Sequence, residues 1–274
     1  MSLKDFIKRC HTNLLDNKTE QEVLVAKEYL AKRDLLEKSI ISTGIGYCNS
    51  DWKLPDSVRF FGEEERDNDG SKDGYADYIA SHFNGRIVVP VYSEFNKIVG
   101  IATRKPLSEK GNTWWNLPSP FKKGEHLFLL NISKKNIFDK NKVYLVEGYM
   151  DAIILQQYGL NNVVAVMGTA LTSKKIGLIA RYCNNVCICF DMDANESGQK
   201  ARDMSIAILK KFDFCENISV INGLPIGEDP DTYVAKNGLD VFLEKEVVLK
   251  DSDIEKICRR LSKQKNYKEV MQAK

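Results

Sequence analysis

Val143-Tyr-Leu-Val-Glu-Gly-Tyr-Met-Asp151 reads as a short β-rich run that ends on an acid, Glu147, then turns at Gly148 into a helix carrying a second acid, Asp151. A second apolar run, Val186-Cys-Ile-Cys-Phe190, closes on the pair Asp191-Met-Asp193. Each acidic group follows a strand and precedes a helix, so the carboxylates gather at the C-terminal edge of one parallel sheet. Clustered carboxylates raise each other's pKa unless cations neutralise them, and hard oxygen ligands suit Mg²⁺ or Mn²⁺. Such ions usually handle phosphate. Taken singly, Glu147 or Asp191 reads equally well as a strand-end or helix-capping acid. An acid pair at i, i+2 just past a buried strand, however, is costly without a cation.

Outward from that segment the pattern alternates. Strands are predicted at 143–146, 163–166, 186–190 and 218–221, with helices at 153–158, 173–182 and 199–211 between them, which is a parallel α/β unit. Gly168-Thr169 follows a strand and offers backbone N–H groups to a phosphate, a weak signal alone. Upstream, Ile87 to Tyr92 and Ile98 to Thr103 make a hairpin, with Pro90 tolerable at an edge or bulge and Arg86 and Arg104 at its outer ends. From Leu3 to Leu36 apolar positions recur at helical spacing, with Thr19 offered as a cap. Gly44 and Gly46 break that segment, and the acidic stretch from Glu63 to Asp77 reads as a loop. Residues 249–274 read as a charged helix.

The 274 residues, 43% of them hydrophobic, suffice for one large domain or two packed subdomains. No run approaches the roughly 20 apolar residues of a membrane span, and the N-terminus lacks the apolar core of a signal peptide. The cytoplasm is the expected location, or the host cytoplasm or nucleoid for a viral form. Seven cysteines is an odd count that implies no disulfides, and Cys187 and Cys189 read as small buried hydrophobes. Zinc on Cys183, Cys187 and Cys189 is disfavoured because no C-x-x-C pair exists. Charge is divided along the chain. Residues 79–142 carry eleven Lys or Arg against four acids, whereas residues 143–247 carry nine against fourteen. A basic segment beside an acidic, metal-hungry one suits a protein that handles both a phosphate backbone and a triphosphate.

Four motifs in order carry a family resemblance: Glu147-Gly-Tyr-Met-Asp151, Asn162-Val-Val-Ala-Val-Met-Gly-Thr-Ala-Leu-Thr172, Phe190-Asp-Met-Asp193 and Leu224-Pro-Ile-Gly-Glu-Asp-Pro-Asp231. Together they resemble the TOPRIM domain of DnaG-type primases. Ala26 to Leu35, Gly44 to Tyr47, Gly85 to Val91, Val99 to Arg104 and Trp115 to Gly124 resemble the N-terminal part of the same polymerase core. The resemblance implies an α/β TOPRIM domain, mainly a parallel sheet flanked by helices, at 143–247. An α+β subdomain at 1–142 precedes it and a helical tail at 248–274 follows. The chain resembles a short form lacking the family's N-terminal zinc ribbon.

The implied activity is synthesis of short RNA primers on single-stranded DNA from ribonucleoside triphosphates with two or more Mg²⁺ or Mn²⁺ ions. Asp191, Asp193, Asp229 and Asp231 would ligate metal. Glu147 would ligate metal or act as general base, and Asp151, one helical turn beyond it, would ligate or orient it. Arg86, Arg104, Lys122 and Lys123 would bind phosphates of template or NTP. Trp114 and Trp115 suit base stacking, although at least one of them reads better as core. A replicative helicase or a separate zinc-ribbon protein is the further partner class that the resemblance raises. Two departures stand out: Thr113 replaces the family's usual lysine, and the link after Asp193, Ala194-Asn-Glu-Ser-Gly198, is two residues longer than usual. Two other classes remain open: a TOPRIM nuclease, and a non-catalytic nucleic-acid-binding replication subunit.

Overall fold

The computed structural model describes residues 1–59, 72–106, 114–118, 121–168, 171–191 and 197–263, with no side-chain description at 59, 72–76 and 197. The chain forms two compact units, Met1–Lys122 and Lys123–Lys274.

In the first unit, α1 (Leu3–Asp16) opens with a capping box in which the Ser2 and Asp5 side chains reciprocate. After it come α2 (Gln21–Lys32), α3 (Glu37–Thr43), β1 (Gly46–Cys48), α4 (Asp56–Arg59), α5 (Lys72–Ser81), β2 (Arg86–Tyr92), β3 (Ile98–Arg104) and β4 (Trp115–Asn116). Thr19 is not the cap of α2. Asn17 holds that turn instead, its side-chain oxygen accepting from the Thr19 and Glu20 N–H groups, and Glu20 is the capping position. The stretch read as a loop through Asp77 is helical from Lys72 onward, because α5 places Ile79, and the turn after it Phe83, in the core. Its earlier part, 60–71, lies outside the described residues.

The sheet of this unit has the order β1-β2-β3-β4, antiparallel throughout. Pro90 is tolerated because β1 pairs only with Arg86 to Val88, which leaves Pro90 bonded on one side, opposite Ile101. Phe6, Ile7 and Cys10 of α1 pack against Val88, Ile101 and Leu117 on one face of the sheet.

The second unit starts with a 3₁₀ turn, Lys123–Glu125, and α6 (Leu130–Lys140). Then β5 (Lys142–Val146), α7 (Tyr149–Gln157), β6 (Val163–Ala165), α8 (Ser173–Ile179), β7 (Asn185–Ile188), α9 (Ser197–Phe212) and β8 (Asn217–Ile221) alternate, as the sequence pattern implies. α10 (Pro230–Asn237), α11 (Leu239–Leu243), β9 (Glu246–Val248) and α12 (Asp251–Leu261) follow. The strand order is β6-β5-β7-β8-β9, parallel except for β9, an antiparallel edge that the sequence pattern did not suggest. β9 is tied in by Glu246, whose carboxylate accepts from Lys142 Nζ at 2.5 Å, Tyr144 Oη at 2.9 Å and Ser219 Oγ at 2.5 Å. Desolvation would raise the pKa of Glu246, but those donors outweigh it and hold the carboxyl below its usual range. The tail is helical at α12, where Arg260 reaches the buried Asp203 of α9, and 264–274 lie outside the described residues. Among the described residues no helix is long and apolar enough to cross a membrane.

Candidate metal and phosphate site

Register alone brings the first two acids together. β5 and β7 are parallel neighbours with Leu145 opposite Ile188, and the Cys189 N–H donates to the Leu145 carbonyl at 2.8 Å. The chain therefore leaves both strands at the same edge, and the Asp191 N–H donates to Glu147 Oε1 at 3.3 Å. Gly198, in the first turn of α9, passes against the same two residues. A Cβ there would lie 2.1 Å from the Asp191 carbonyl oxygen and 2.9 Å from Glu147 Oε1. The lengthened link after Asp193 thus still delivers a glycine to the acids. Asp193 and most of that link, like Thr113 in the other unit, lie outside the described residues.

A second grouping forms between α7 and α10. Asp151 accepts from the Gly148 N–H at 3.0 Å as the reciprocal acid of an N-terminal capping arrangement, and only glycine at 148 allows the approach, since a Cβ would sit 2.7 Å from Asp151 Oδ2. Asp229 is the capping residue of α10, Pro230 its first helical position and Asp231 the next, so the proline pre-sets the backbone between the two acids. Burial, with Asp231 and Asp229 as negative neighbours, pushes Asp151 up to about 8, against the backbone N–H groups of Gly148 and Asp231 that favour its charged form. Asp151 and Asp231 are both buried.

Among the described residues no three His, Cys, Asp or Glu side chains stand close enough to hold an ion as they are. The donor set nonetheless fits a hard divalent cation. Burial first, and then the negative charges of Asp231 and Asp229, keep a proton on Asp151 up to about pH 8, which a bound cation would relieve, and all the candidates offer oxygen only. Cys183, Cys187 and Cys189 are buried thiols, and burial pushes Cys183 up to about 11.

The basic candidates divide between the units. In the first, Ile87 pairs with Arg104, so Arg86 and Arg104 share one end of the hairpin while the pleat sends them to opposite faces. Burial lowers the pKa of both, and a neighbouring Arg33 lowers Arg104 further. The Arg104 guanidinium lies 5.6 Å from the ring centres of both Tyr29 and Trp114. Trp115 is committed to packing: it stacks on His82 at 4.6 Å, meets Phe83 edge-on and donates Nε1–H to Tyr78 Oη at 3.1 Å. Lys122 is exposed. In the second unit Lys123 is half-buried, and burial lowers its pKa.

Two residues escaped the reading of the sequence. Gly198 lies inside what reads as an irregular link. Lys175 follows the exposed Lys174 and looks like part of a solvated helix face, yet it is fully buried. Burial, reinforced by Lys123, pulls its ammonium down to about 7.

Residues 10–143 match the family described as DNA primase catalytic core, N-terminal domain, and residues 144–234 match the family described as Toprim-like. The chain is 35% identical over 223 residues to the DNA primase of Clostridium acetobutylicum, covering 80% of this chain and 36% of the relative. It is 32% identical over 226 residues to that of Escherichia coli K12, covering 79% of this chain and 38% of the relative. The chain thus spans little more than a third of the length of these relatives. Among solved structures, a DnaG catalytic core matches with TM-score 0.73 at 24% identity, over 97% of this chain and 86% of that one. A DnaG primase catalytic domain bound to ssDNA matches with TM-score 0.69 at 26% identity, over 88% of this chain and 78% of that one. With an antiparallel sheet in the first unit, a mainly parallel sheet with acids at its strand ends in the second, and both family matches in sequence order, this chain belongs to the DnaG-type primases.

Proposed function

We propose that this chain is a primer-synthesising polymerase core, which joins ribonucleotides on a single-stranded DNA template by divalent-metal-dependent nucleotidyl transfer. The 3′-hydroxyl oxygen of the growing primer bonds to the α-phosphorus of an incoming NTP, the bond from that phosphorus to the α,β-bridging oxygen breaks, and pyrophosphate leaves. The observation that carries this reading is the pair of acid groupings at one sheet edge, Glu147 with Asp191 and Asp151 with Asp229 and Asp231.

Asp191, Asp193, Asp229 and Asp231 would hold Mg²⁺ or Mn²⁺, two or more ions, which when bound supply charge neutralisation to the reacting phosphate and the leaving pyrophosphate. Glu147 takes the hydroxyl proton or completes the ligand set, and Asp151 fixes the turn that presents it. Arg86, Arg104, Lys122 and Lys123 bind phosphates of template or NTP, and Trp114, with Arg104 over its face, offers a stacking surface for a base. The primases among its relatives and a primase domain bound to ssDNA support this over a nuclease or a non-catalytic subunit.

The test is primer synthesis on single-stranded DNA with NTPs and Mg²⁺ or Mn²⁺. Asp191→Ala is expected to lose activity by at least about 100-fold. Full activity in that variant, or cleavage of labelled DNA by the wild type with metal and no NTP, would overturn the assignment.

A further inference from the structure

A lysine wholly removed from solvent is a costly choice where methionine or leucine would fill the same space, so Lys175 demands a return in structure. Its Nζ donates to the Val166 carbonyl at 2.7 Å. Val166 directly follows β6, its N–H donating to the Val146 carbonyl at 2.9 Å. The next two residues, Met167 and Gly168, both take left-handed backbone angles, φ 63° and 68°. For glycine that is ordinary; for methionine it is strained and persists only when the surroundings over-determine it. Directly after this turn, the Gly168 N–H donates to the carbonyl of Glu147 at 3.1 Å. Lys175 is itself anchored: its own N–H donates to Thr172 Oγ1 at 3.2 Å, and Thr172 Oγ1 donates in turn to the Gly124 carbonyl.

We propose that Lys175 is a positioning residue for Glu147, holding the Val166 carbonyl so that the strained Met167–Gly168 turn keeps Gly168 bonded to the Glu147 backbone. Its contribution runs through Val166 and Gly168 and needs no contact with substrate. The catalytic consequence rests on the polymerase reading above, whereas the clamp itself does not.

The experiment compares Lys175→Met, which keeps length and loses the donor, with Lys175→Arg, which keeps a donor, in the full chain. Amide hydrogen exchange followed by NMR without metal or nucleotide reads the clamp, and primer-synthesis kinetics read its consequence. In Lys175→Met the Gly168 amide should exchange at least about 10-fold faster while the Leu145 and Ile188 amides keep their protection. The kcat should fall at least about 10-fold with KM for NTP changed less than about 3-fold, because a displaced group costs rate more than ground-state binding. Lys175→Arg should restore both to within about 3-fold of wild type. Unchanged Gly168 exchange in folded Lys175→Met, or failure of Lys175→Arg to restore it, overturns the proposal. Should Lys175→Met not fold, the Lys175→Arg outcome alone decides. A wild type that makes no primers sinks the polymerase reading, and the exchange data still judge the clamp.

Discussion

At the residue scale, the site is set as much by side chains that are missing as by those present. Gly198 lets the first turn of α9 pass within contact of the Asp191 carbonyl and the Glu147 carboxylate. The neighbour that would have to move is backbone at the candidate metal site, which cannot give way cheaply. Gly198→Ala is therefore expected to cut primer synthesis by about 100-fold, the scale of an ångström's misplacement of a catalytic group. Far-ultraviolet circular dichroism of the same variant should match wild type; wild-type activity in Gly198→Ala would show that the turn relaxes freely. The glycine is plain in the sequence, but its partners are 51 and 7 positions away in the chain, at Glu147 and Asp191, and only folding brings them to it. Lys175 was illegible for a related reason, since nothing in a Lys-Lys pair says which of the two points inward.

At the scale of elements, the capping of α7 and α10 brings Asp151, Asp229 and Asp231 together, and this has a pH signature. The folded-state pKa of Asp151, about 8, lies above its ordinary value of 3.8. Between those values the folded chain keeps a proton that the unfolded chain has released, so this stabilising contribution is complete below about pH 4 and is lost as pH rises towards 8. In metal-free buffer, Tm should fall from about pH 5 to about pH 8, and Asp151→Asn should flatten the slope. Mg²⁺ should raise Tm more at the higher pH, where the carboxylates are free to bind it. Lys175 works in the opposite sense, its lowered pKa adding stability only as pH rises above about 7. An equal slope in Asp151→Asn would remove Asp151 from the account. The Glu246 network makes a separate prediction about the sheet. Glu246→Ala leaves Lys142, Tyr144 and Ser219 facing a lost acceptor and is expected to cost about 2–3 kcal/mol in urea unfolding. A loss below about 0.5 kcal/mol would mean that β9 is held by its backbone pairing alone.

For the whole molecule, charge is unevenly shared between the basic stretch 79–142 and the acidic stretch 143–247. If the basic residues neutralise phosphates of a single strand, log Kd should change with log salt by roughly 0.7 per phosphate contacted. Arg104→Ala should reduce that slope by about one contact's worth and weaken binding to strands of different sequence about equally. Fluorescence anisotropy with labelled oligonucleotides measures both; a slope unmoved in Arg104→Ala would exclude a phosphate contact there.

The amino-acid sequence determined the alternation of strands and helices in the second unit, the hairpin of the first, and the emergence of acids at strand ends. Those follow from periodicity and local backbone preference, which act within a few residues. Tertiary structure decided which acids meet, Glu147 with Asp191 and Asp151 with the α10 pair, because strand order and register operate across distances the pattern does not record. It also decided the antiparallel β9 edge, the opposite faces taken by Arg86 and Arg104, and the burial of Lys175. Local chemistry chooses the elements, whereas the cost of burying charge and the geometry of packing choose their neighbours.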